Sequence, residues 1–253
     1  MTNNTATRTH LKGNSNEQKN KSKVIKIDFS KSRTTYNESV ISENGINDLQ
    51  KLSAKRDVMV CKKNENVYKA NSYPKGIYFV MKGKVKTYKT HERGKEFITG
   101  LHKEENFFGY PALLDGGQYT DSAMTLEDSE ICLIPKEDFF ELVYKNSEVS
   151  RKFTKMLLDN LREKEEQIIK LAYNSVRKRV ADALVTLSNC YKKDGEQFSM
   201  NISRQDLASI VGIAPETTIR TLSDFKDEGL VDIKTRGGII FVTQYDKLTQ
   251  MRN

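Results

Sequence analysis

The pattern of apolar and polar positions changes character twice along the chain. Residues 1–50 are rich in polar side chains and poor in large apolar ones, so this tail is predicted to be mostly disordered, apart from a strand-like run at 24–29 and a short helix at 45–55. Between residues 58 and 134, short apolar runs alternate with turn residues, which indicates strands. From residue 135 onward, apolar residues recur at helical spacing, which indicates helices.

The strand-rich stretch predicts a small barrel or jelly roll, because many short strands with turn residues between them are typical of that architecture. The segment 106–114 is apolar but contains Gly and Pro, so it is predicted to hold a tight turn and a single helical turn. The predicted strands are 77–81, 82–89, 96–101, 122–125 and 130–134.

Two short helices joined by a turn are predicted over residues 202–225. Ser203 is a natural N-cap, Gly212 permits the turn, and Pro215 suits the first position of the second helix, where its missing N–H costs nothing. The buried positions of the second helix are predicted to be Ile219, Leu222 and Phe225. Its outward positions are predicted to be Glu216, Thr217, Arg220 and Thr221.

The outward face is the first candidate for chemistry. An exposed carboxylate and guanidinium one helical turn apart can read base edges in a DNA major groove, so the base-reading candidates are Glu216, Thr217 and Arg220. The alternative is an ordinary helical hairpin whose charges are solvated. Residues 231–234 and 238–242 predict the two strands of a β-hairpin wing, and a winged-helix domain is a more specific pattern than a helical hairpin alone.

A long helix is predicted over residues 147–172, followed by another amphipathic helix at 176–187. Lys164 and Glu165 interrupt the apolar stripe of the long helix. The long helix either packs on its own domain or joins two protomers, and we favour the second interpretation because paired DNA half-sites require a symmetric dimer. The predicted dimer seam consists of Phe153, Leu157, Leu161, Ile168 and Leu171.

The net charge of +8 and the isoelectric point near 9.2 are compatible with a polyanionic partner. The charge is unevenly placed: residues 146–195 carry 11 basic and 7 acidic side chains, whereas residues 196–253 carry 7 basic and 8 acidic ones. Phosphate contacts are therefore expected largely from the segment that precedes the two short helices. The phosphate-positioning candidates are Arg177, Lys178, Ser203, Arg204, Gln205 and Arg236.

Several classes of protein are not indicated. The sequence has neither an apolar run long enough to cross a membrane nor a signal-peptide pattern, and Cys61, Cys132 and Cys190 are too far apart for a disulfide framework, so a reducing cytoplasm is expected. With three histidines and no closely spaced cysteines, no metal or other cofactor is expected. A Gly-rich phosphate loop, a nucleophile elbow and an acidic metal cluster are missing, so no enzymatic function is expected.

Several segments resemble the Crp/Fnr family of bacterial transcription regulators, over about residues 57–248. The resemblance implies an α+β fold with a cyclic-nucleotide-binding-like β-roll (a double-stranded jelly roll), a long dimerisation helix and a winged helix-turn-helix. The implied domain limits are 51–145, 146–174 and 175–253, after the tail 1–50. The segments that carry the resemblance are 76–85, 107–109 and 126–130 in the β-roll, and 175–181, 203–208 and 216–220 in the DNA-binding part.

The resemblance also implies a function. Members of the family are transcription regulators, so a homodimer that binds near-palindromic double-stranded DNA and contacts RNA polymerase is expected. The resemblance makes Glu216 and Arg220 base readers. Pro215 stands where the family often has Arg or Ser, and because its side chain has no donor, one base contact is expected to differ.

The sensor pocket departs from the pattern of cyclic-AMP binders of this fold, which carry a Gly-Glu pair and then an Arg before Ser/Thr-Ala. Tyr110 stands in place of the carboxylate, Pro111 removes a backbone donor, and Asp121 (or Thr120, with a one-residue shift) stands in place of the arginine. We therefore expect no response to cyclic AMP. A filled β-roll without a ligand and a regulator that depends on a cyclic nucleotide or another small ligand are the alternatives. The vestigial pocket residues are Gly109, Tyr110, Pro111, Ala112, Thr120, Asp121 and Ser122.

Overall fold

The computed structural model describes residues 58–191, 199–234 and 238–252. The predicted strand-like run at 24–29, the predicted helix at 45–55 and Arg236 lie outside these ranges. Within them, none of the helices combines the length and the apolar character that crossing a lipid bilayer requires.

Two four-stranded antiparallel sheets form the N-terminal β-roll. One sheet has the order β1-β8-β3-β6 and the other the order β2-β7-β4-β5, so all neighbours except β4 and β5 come from distant parts of the sequence. The strands are β1 (Val58–Cys61), β2 (Asn66–Tyr68), β3 (Gly76–Lys82), β4 (Val85–Thr90), β5 (Glu96–His102), β6 (Phe107–Phe108), β7 (Ser122–Thr125) and β8 (Ser129–Pro135).

One predicted strand boundary is wrong. Residues 82–89 are not one strand, because Gly83 adopts a left-handed backbone (φ 92°) that turns the chain between β3 and β4. A Cβ atom at this position would also lie 2.3 Å from Ser129 Oγ, so a glycine is required on both counts. The predicted single helical turn within 106–114 is α1 (Tyr110–Asp115).

Two helices connect the β-roll to the C-terminal part: α2 (Lys136–Lys145) and the long α3 (Ser147–Tyr173). Asn146 starts α3, since its side chain accepts hydrogen bonds from the backbone N–H groups of Glu148 and Val149. The first turns of α3 pack on the β-roll, where the Phe153 ring stands edge-on to Phe139 with 5.1 Å between centroids.

The C-terminal part is a winged helix built on a three-stranded sheet of order β10-β11-β9. Its core contains the fully buried Leu184, Leu207, Phe225 and Leu248. The last helix, α7, was not predicted because only Leu248 of its residues is buried, which leaves no apolar stripe to detect. The elements are α4 (Val176–Tyr191), β9 (Ser199–Met200), α5 (Arg204–Val211), α6 (Pro215–Asp227), β10 (Val231–Ile233), β11 (Ile240–Val242) and α7 (Tyr245–Arg252).

The architecture confirms the predicted fold: a β-roll, a long helix and a winged helix-turn-helix. The β-roll and the winged helix also touch. Gly212, in the turn between α5 and α6, faces Phe97 of β5 and Leu171 of α3, and a Cβ there would lie 3.2 Å and 3.3 Å from their side chains. Leu171 therefore packs within its own chain.

Candidate nucleic-acid interface

The first helix of the helix-turn-helix is held by its caps. The Ser203 hydroxyl accepts a hydrogen bond from the Asp206 backbone N–H (2.9 Å) and donates one to the Asp206 carboxylate (2.7 Å). The helix ends at Gly212, which has φ 71° and donates its N–H to Ala208 O (2.8 Å). The N-cap and the turn residue are thus the ones that the sequence predicts.

The second helix, α6, differs from the prediction at two positions. Its buried positions are Thr218, Thr221, Leu222 and Phe225, which follow the helical spacing i, i+3, i+4, i+7. The prediction that Thr221 faces outward is wrong, because Thr221 is buried and its hydroxyl donates to Thr217 O (2.9 Å).

The prediction that Ile219 is buried is also wrong, because 53% of this residue is exposed. Thr218, which the sequence did not assign to the core, fills the interior position instead and donates its hydroxyl to Ala214 O (3.2 Å). Each of these two threonines can be buried because its hydroxyl donates a hydrogen bond to a backbone carbonyl of the preceding turn.

The predicted base-reading residues lie on the outer surface of α6. Glu216 and Arg220 are exposed and stand one turn apart, whereas Thr217 is half-buried. Pro215 begins the helix, so the first turn offers one backbone donor fewer than usual. This face can offer a carboxylate acceptor and a guanidinium donor to a partner.

Two of the predicted phosphate-positioning arginines make contacts within the chain. Arg177 forms an ion pair with Glu228, and its guanidinium lies 4.6 Å from the centroid of the Phe225 ring, so it clamps the end of α6. Arg204 donates from Nη1 to Gly238 O (3.2 Å), which ties α5 to the wing, and burial lowers its pKa. That these two side chains also contact the phosphates of a partner stays a prediction.

The other phosphate-positioning candidates lie near the surface. Gln205 and Ser203 are exposed at the start of α5, and Lys178 is half-buried near the start of α4. A residue that sequence reasoning missed is Arg179, whose Nη1 donates to Val211 O (3.2 Å) at the end of α5. Arg177 and Arg179 of the basic run therefore each link α4 to the helix-turn-helix.

A second contact that the sequence did not predict joins the helix-turn-helix to the β-roll. Lys86 of β4 is buried, and its Nζ lies 2.6 Å from Asp206 Oδ1 and 3.2 Å from Glu96 Oε2. Burial acts to lower the pKa of Lys86, but its hydrogen bond to Asp206 and the two negative charges outweigh that effect and raise the pKa above its ordinary value. Lys84 adds a cation–π contact with Tyr191 at 4.3 Å.

The interior of the β-roll is filled by aromatic rings. The tyrosine cluster, Tyr68, Tyr78 and Tyr119, is buried, and the Tyr68 and Tyr119 rings stack with 3.8 Å between centroids. Tyr78 stacks on Phe108 at 5.3 Å, and a Cβ on Gly109 would come within 2.9 Å of Tyr78. Gly109 (φ 78°) is thus required by the cluster as well as by the start of α1.

The vestigial pocket residues are engaged within the chain. The Tyr110 hydroxyl accepts a hydrogen bond from Asn160 Nδ2 (2.6 Å), which links α1 to the long helix. Asp121 accepts a hydrogen bond from the Tyr68 hydroxyl (3.2 Å), and burial raises the pKa of Asp121. Ser122 Oγ accepts from the Ala70 backbone N–H (3.0 Å), Thr120 is exposed, and Ala112 is buried.

The long helix α3 divides its apolar residues between two faces. Phe153, Leu157 and Leu171 are half-buried, and Phe153 packs on a core cluster of the β-roll and α2, so these three members of the predicted seam already have contacts within the chain. An outward group of large apolar residues is between 51% and 65% exposed. This outward seam consists of Leu158, Leu161, Ile168 and Ile169.

Two segments of the chain match known protein families. Residues 58–146 match the family described as the cyclic nucleotide-binding domain, and residues 178–251 match the Crp-like helix-turn-helix domain. Together the two matches span more than half of the chain. They fall on the β-roll with α2 and on the winged helix.

Similar proteins include the fumarate and nitrate reduction regulatory protein of Escherichia coli (strain K12), which is 27% identical over 192 residues, or 75% of this chain and 76% of that protein. Among solved structures, FixK2 from Bradyrhizobium japonicum gives a TM-score of 0.69 at 22% identity, covering 78% of this chain and 98% of that one. The CRP/FNR-family regulator TTHA1359 from Thermus thermophilus gives a TM-score of 0.67 at 20% identity, with the same coverage.

A β-roll of the cyclic-nucleotide-binding type, a long helix and a Crp-like helix-turn-helix define a DNA-binding transcription regulator. The chain belongs to the Crp/Fnr family.

Proposed function

We propose that the protein acts as a homodimer that places two copies of α6 in successive major grooves of a near-palindromic DNA site and regulates transcription in the cytoplasm without cyclic AMP. The observation that carries the proposal is the position of Glu216 and Arg220, which are both exposed on one face of α6 while the opposite face is buried. A helix of this kind fits the major groove and reads base edges with its first turns.

The base-reading chemistry follows from the side chains. Arg220 can donate two parallel hydrogen bonds to guanine O6 and N7, Glu216 can accept from cytosine N4, and Thr217 can do either. Each well-aligned bidentate pair is worth about 1–3 kcal/mol of discrimination against a wrong base. We expect a half-site with at least one G·C pair read by Arg220.

Fewer side chains are free to contact DNA phosphates than the sequence suggests, because Arg177 and Arg204 already bind other parts of the chain. We propose that Gln205, Lys178 and Arg236 contact phosphates, together with the N-terminal backbone of α5 and its cap Ser203. Phosphate contacts of this kind add affinity that is independent of sequence and weakens with salt.

The outward seam supports dimerisation. Leu158, Leu161 and Ile168 succeed one another at spacings of three and seven residues, which keeps them on one side of α3 as in a two-stranded coiled coil. A second copy of α3 is the proposed partner of this seam, and two-fold symmetry then presents two α6 helices to one duplex. RNA polymerase is the proposed further partner of the bound dimer.

Independence from cyclic AMP is supported by three features of the β-roll. The tyrosine cluster fills the interior, the Tyr110 hydroxyl is bound to Asn160, and the half-buried Asp121 carboxylate, which accepts a hydrogen bond from Tyr68, would repel a phosphate. Isothermal titration of the full chain should show no saturable binding up to about 100 μM cyclic AMP, a concentration that would almost completely fill a site with a dissociation constant of about 1 μM. Saturable micromolar binding would contradict the proposal.

The DNA-binding function is tested by selection from a pool of random duplexes followed by mobility-shift titration. Enrichment of a near-palindromic sequence, bound by a dimer, is expected. Arg220→Ala should weaken binding to that sequence by about 1–3 kcal/mol while leaving binding to unrelated duplex DNA nearly unchanged. The matched control is Arg151→Ala, which removes an exposed arginine of α3. Unchanged sequence preference in the Arg220 variant would contradict the assignment.

A further inference from the structure

The reading face of α6 contains a large apolar side chain between its polar ones. Ile219 is 53% exposed although it lies in the middle of a helix whose opposite face is packed into the core. It stands three residues after Glu216 and directly before Arg220, and Ser223 follows at the next turn. Positions 216, 219, 220 and 223 have the spacing i, i+3, i+4, i+7, so these four residues form one stripe.

An isoleucine in this stripe has one natural counterpart in a DNA major groove. The edges of guanine, cytosine and adenine offer hydrogen-bond donors and acceptors there, and only thymine presents an apolar group, its C5 methyl. A branched aliphatic side chain cannot satisfy a donor or an acceptor, so contact with any other base edge would leave polar groups dehydrated and without a partner.

We propose that Ile219 is a specificity-determining residue that reads the C5 methyl group of a thymine in each half-site. The inference rests on the proposed function, since it requires α6 to lie in the major groove. Residues 216 and 219 are separated by about 4.5 Å along the helix axis. The base steps that Glu216, Ile219 and Arg220 reach are therefore adjacent, and the thymine lies within about two base pairs of the guanine that Arg220 reads.

The test removes the methyl group and nothing else. In the duplex enriched by selection, each thymine in turn is replaced by deoxyuridine, and the affinity of the full chain is measured by mobility shift. At one position per half-site, the substitution should weaken binding of the wild-type protein about fourfold, as expected from the loss of one buried methyl group. Ile219→Ala should bind the thymine duplex about fourfold more weakly than the wild type does and should be insensitive to deoxyuridine at that position.

Two controls separate this role from a structural one. Val60→Ala truncates another exposed aliphatic residue, 47% exposed on β1, and should retain the wild-type response to deoxyuridine. Ile219→Ala should unfold at the wild-type temperature, because the side chain is not part of the core. The proposal is overturned if every deoxyuridine position changes wild-type affinity less than about twofold, or if Ile219→Ala stays as sensitive as the wild type. Failure of selection to enrich any sequence would instead overturn the proposed function itself.

Discussion

Lys86 Nζ lies 2.6 Å from Asp206 Oδ1, and this ion pair, whose lysine is buried, joins the β-roll to the first helix of the helix-turn-helix. Asp206 also completes the cap of α5 through its hydrogen bond with Ser203 (2.7 Å), so one carboxylate serves both the local fold and the contact between the two parts. The relative position of β4 and α5 therefore depends on a charge that is shielded from water.

Replacing Lys86 by Met should destabilise the protein by about 3 kcal/mol, because Asp206 and Glu96 would be left facing each other with no cation between them. The measurement is the free energy of unfolding from urea titration. Lys62→Met is the matched control: its ion pair with Asp128 is largely exposed, so this change should destabilise the protein far less than Lys86→Met does.

The double variant Lys86→Met with Asp206→Asn identifies the pair itself. The double variant should be less destabilised than the sum of the two single variants by at least about 0.5–1 kcal/mol. In the double variant neither Lys86 nor Asp206 keeps its charge after losing the other as a partner. Strictly additive effects would contradict a direct interaction between these two side chains.

The sequence predicted most of the architecture because local signals agree with the fold. Ser203, Gly212 and Pro215 have backbone roles that neighbouring residues alone determine, and α5 and α6 begin and end where these residues indicate. The strand-rich segment likewise folds as a roll, although the turn at Gly83 makes β4 begin later than the sequence predicts.

Side-chain assignments were predicted less well, since they depend on packing between distant segments. Ile219 is the more apolar residue, yet Thr218 is buried, because the rotation of α6 is set by Leu222 and Phe225 against the rest of the core. The ion pair between Arg177 and Glu228 was not predicted either, because the two residues are far apart in sequence. No pattern within α4 carries that information.

The outward seam of α3 can be tested by inserting a charge. Ile168→Glu should shift the protein from dimer to monomer, because two-fold symmetry would bring two carboxylates together in an apolar contact. The side chain is 65% exposed in the single chain, so the fold of the monomer should survive. Sedimentation velocity gives the oligomeric state, and affinity for the selected duplex should fall with it.

Val60→Glu is the control for this experiment, since it places the same charge on an exposed aliphatic position of β1. It should remain dimeric. A dimer of unchanged stability in the Ile168 variant would show that α3 does not join the protomers through this seam.

The tyrosine cluster should behave as a packed core and not as an empty pocket. Tyr119→Ala is expected to destabilise the protein by about 3–5 kcal/mol, because it removes a ring stacked 3.8 Å from Tyr68 and leaves a cavity. Tyr73→Ala, at a position 70% exposed, should change the free energy of unfolding by less than about 0.5 kcal/mol. A small effect at Tyr119 would indicate that the roll is loosely packed and has room for a ligand.

Acid sensitivity should arise in part from His102. Burial lowers the pKa of His102 to about 4, and the positive charge of Lys164 acts in the same direction. The ring stacks on Phe108 at 5.1 Å, and its Nε2 lies 3.2 Å from Thr87 Oγ1. In the unfolded chain a histidine takes up its proton near its ordinary pKa of about 6.5, so protonation favours unfolding as the pH falls from about 6.5 to about 4.

The stability that depends on the neutral His102 ring is therefore fully present above about pH 6.5 and is lost as the pH falls through this window, by an amount on the order of 2 kcal/mol. His102→Gln has no group that titrates here and can keep a hydrogen bond to Thr87, so its free energy of unfolding should fall less steeply across the same window than that of the wild type. Equal slopes in the wild type and the His102 variant would show that the ring becomes protonated in the folded protein without cost.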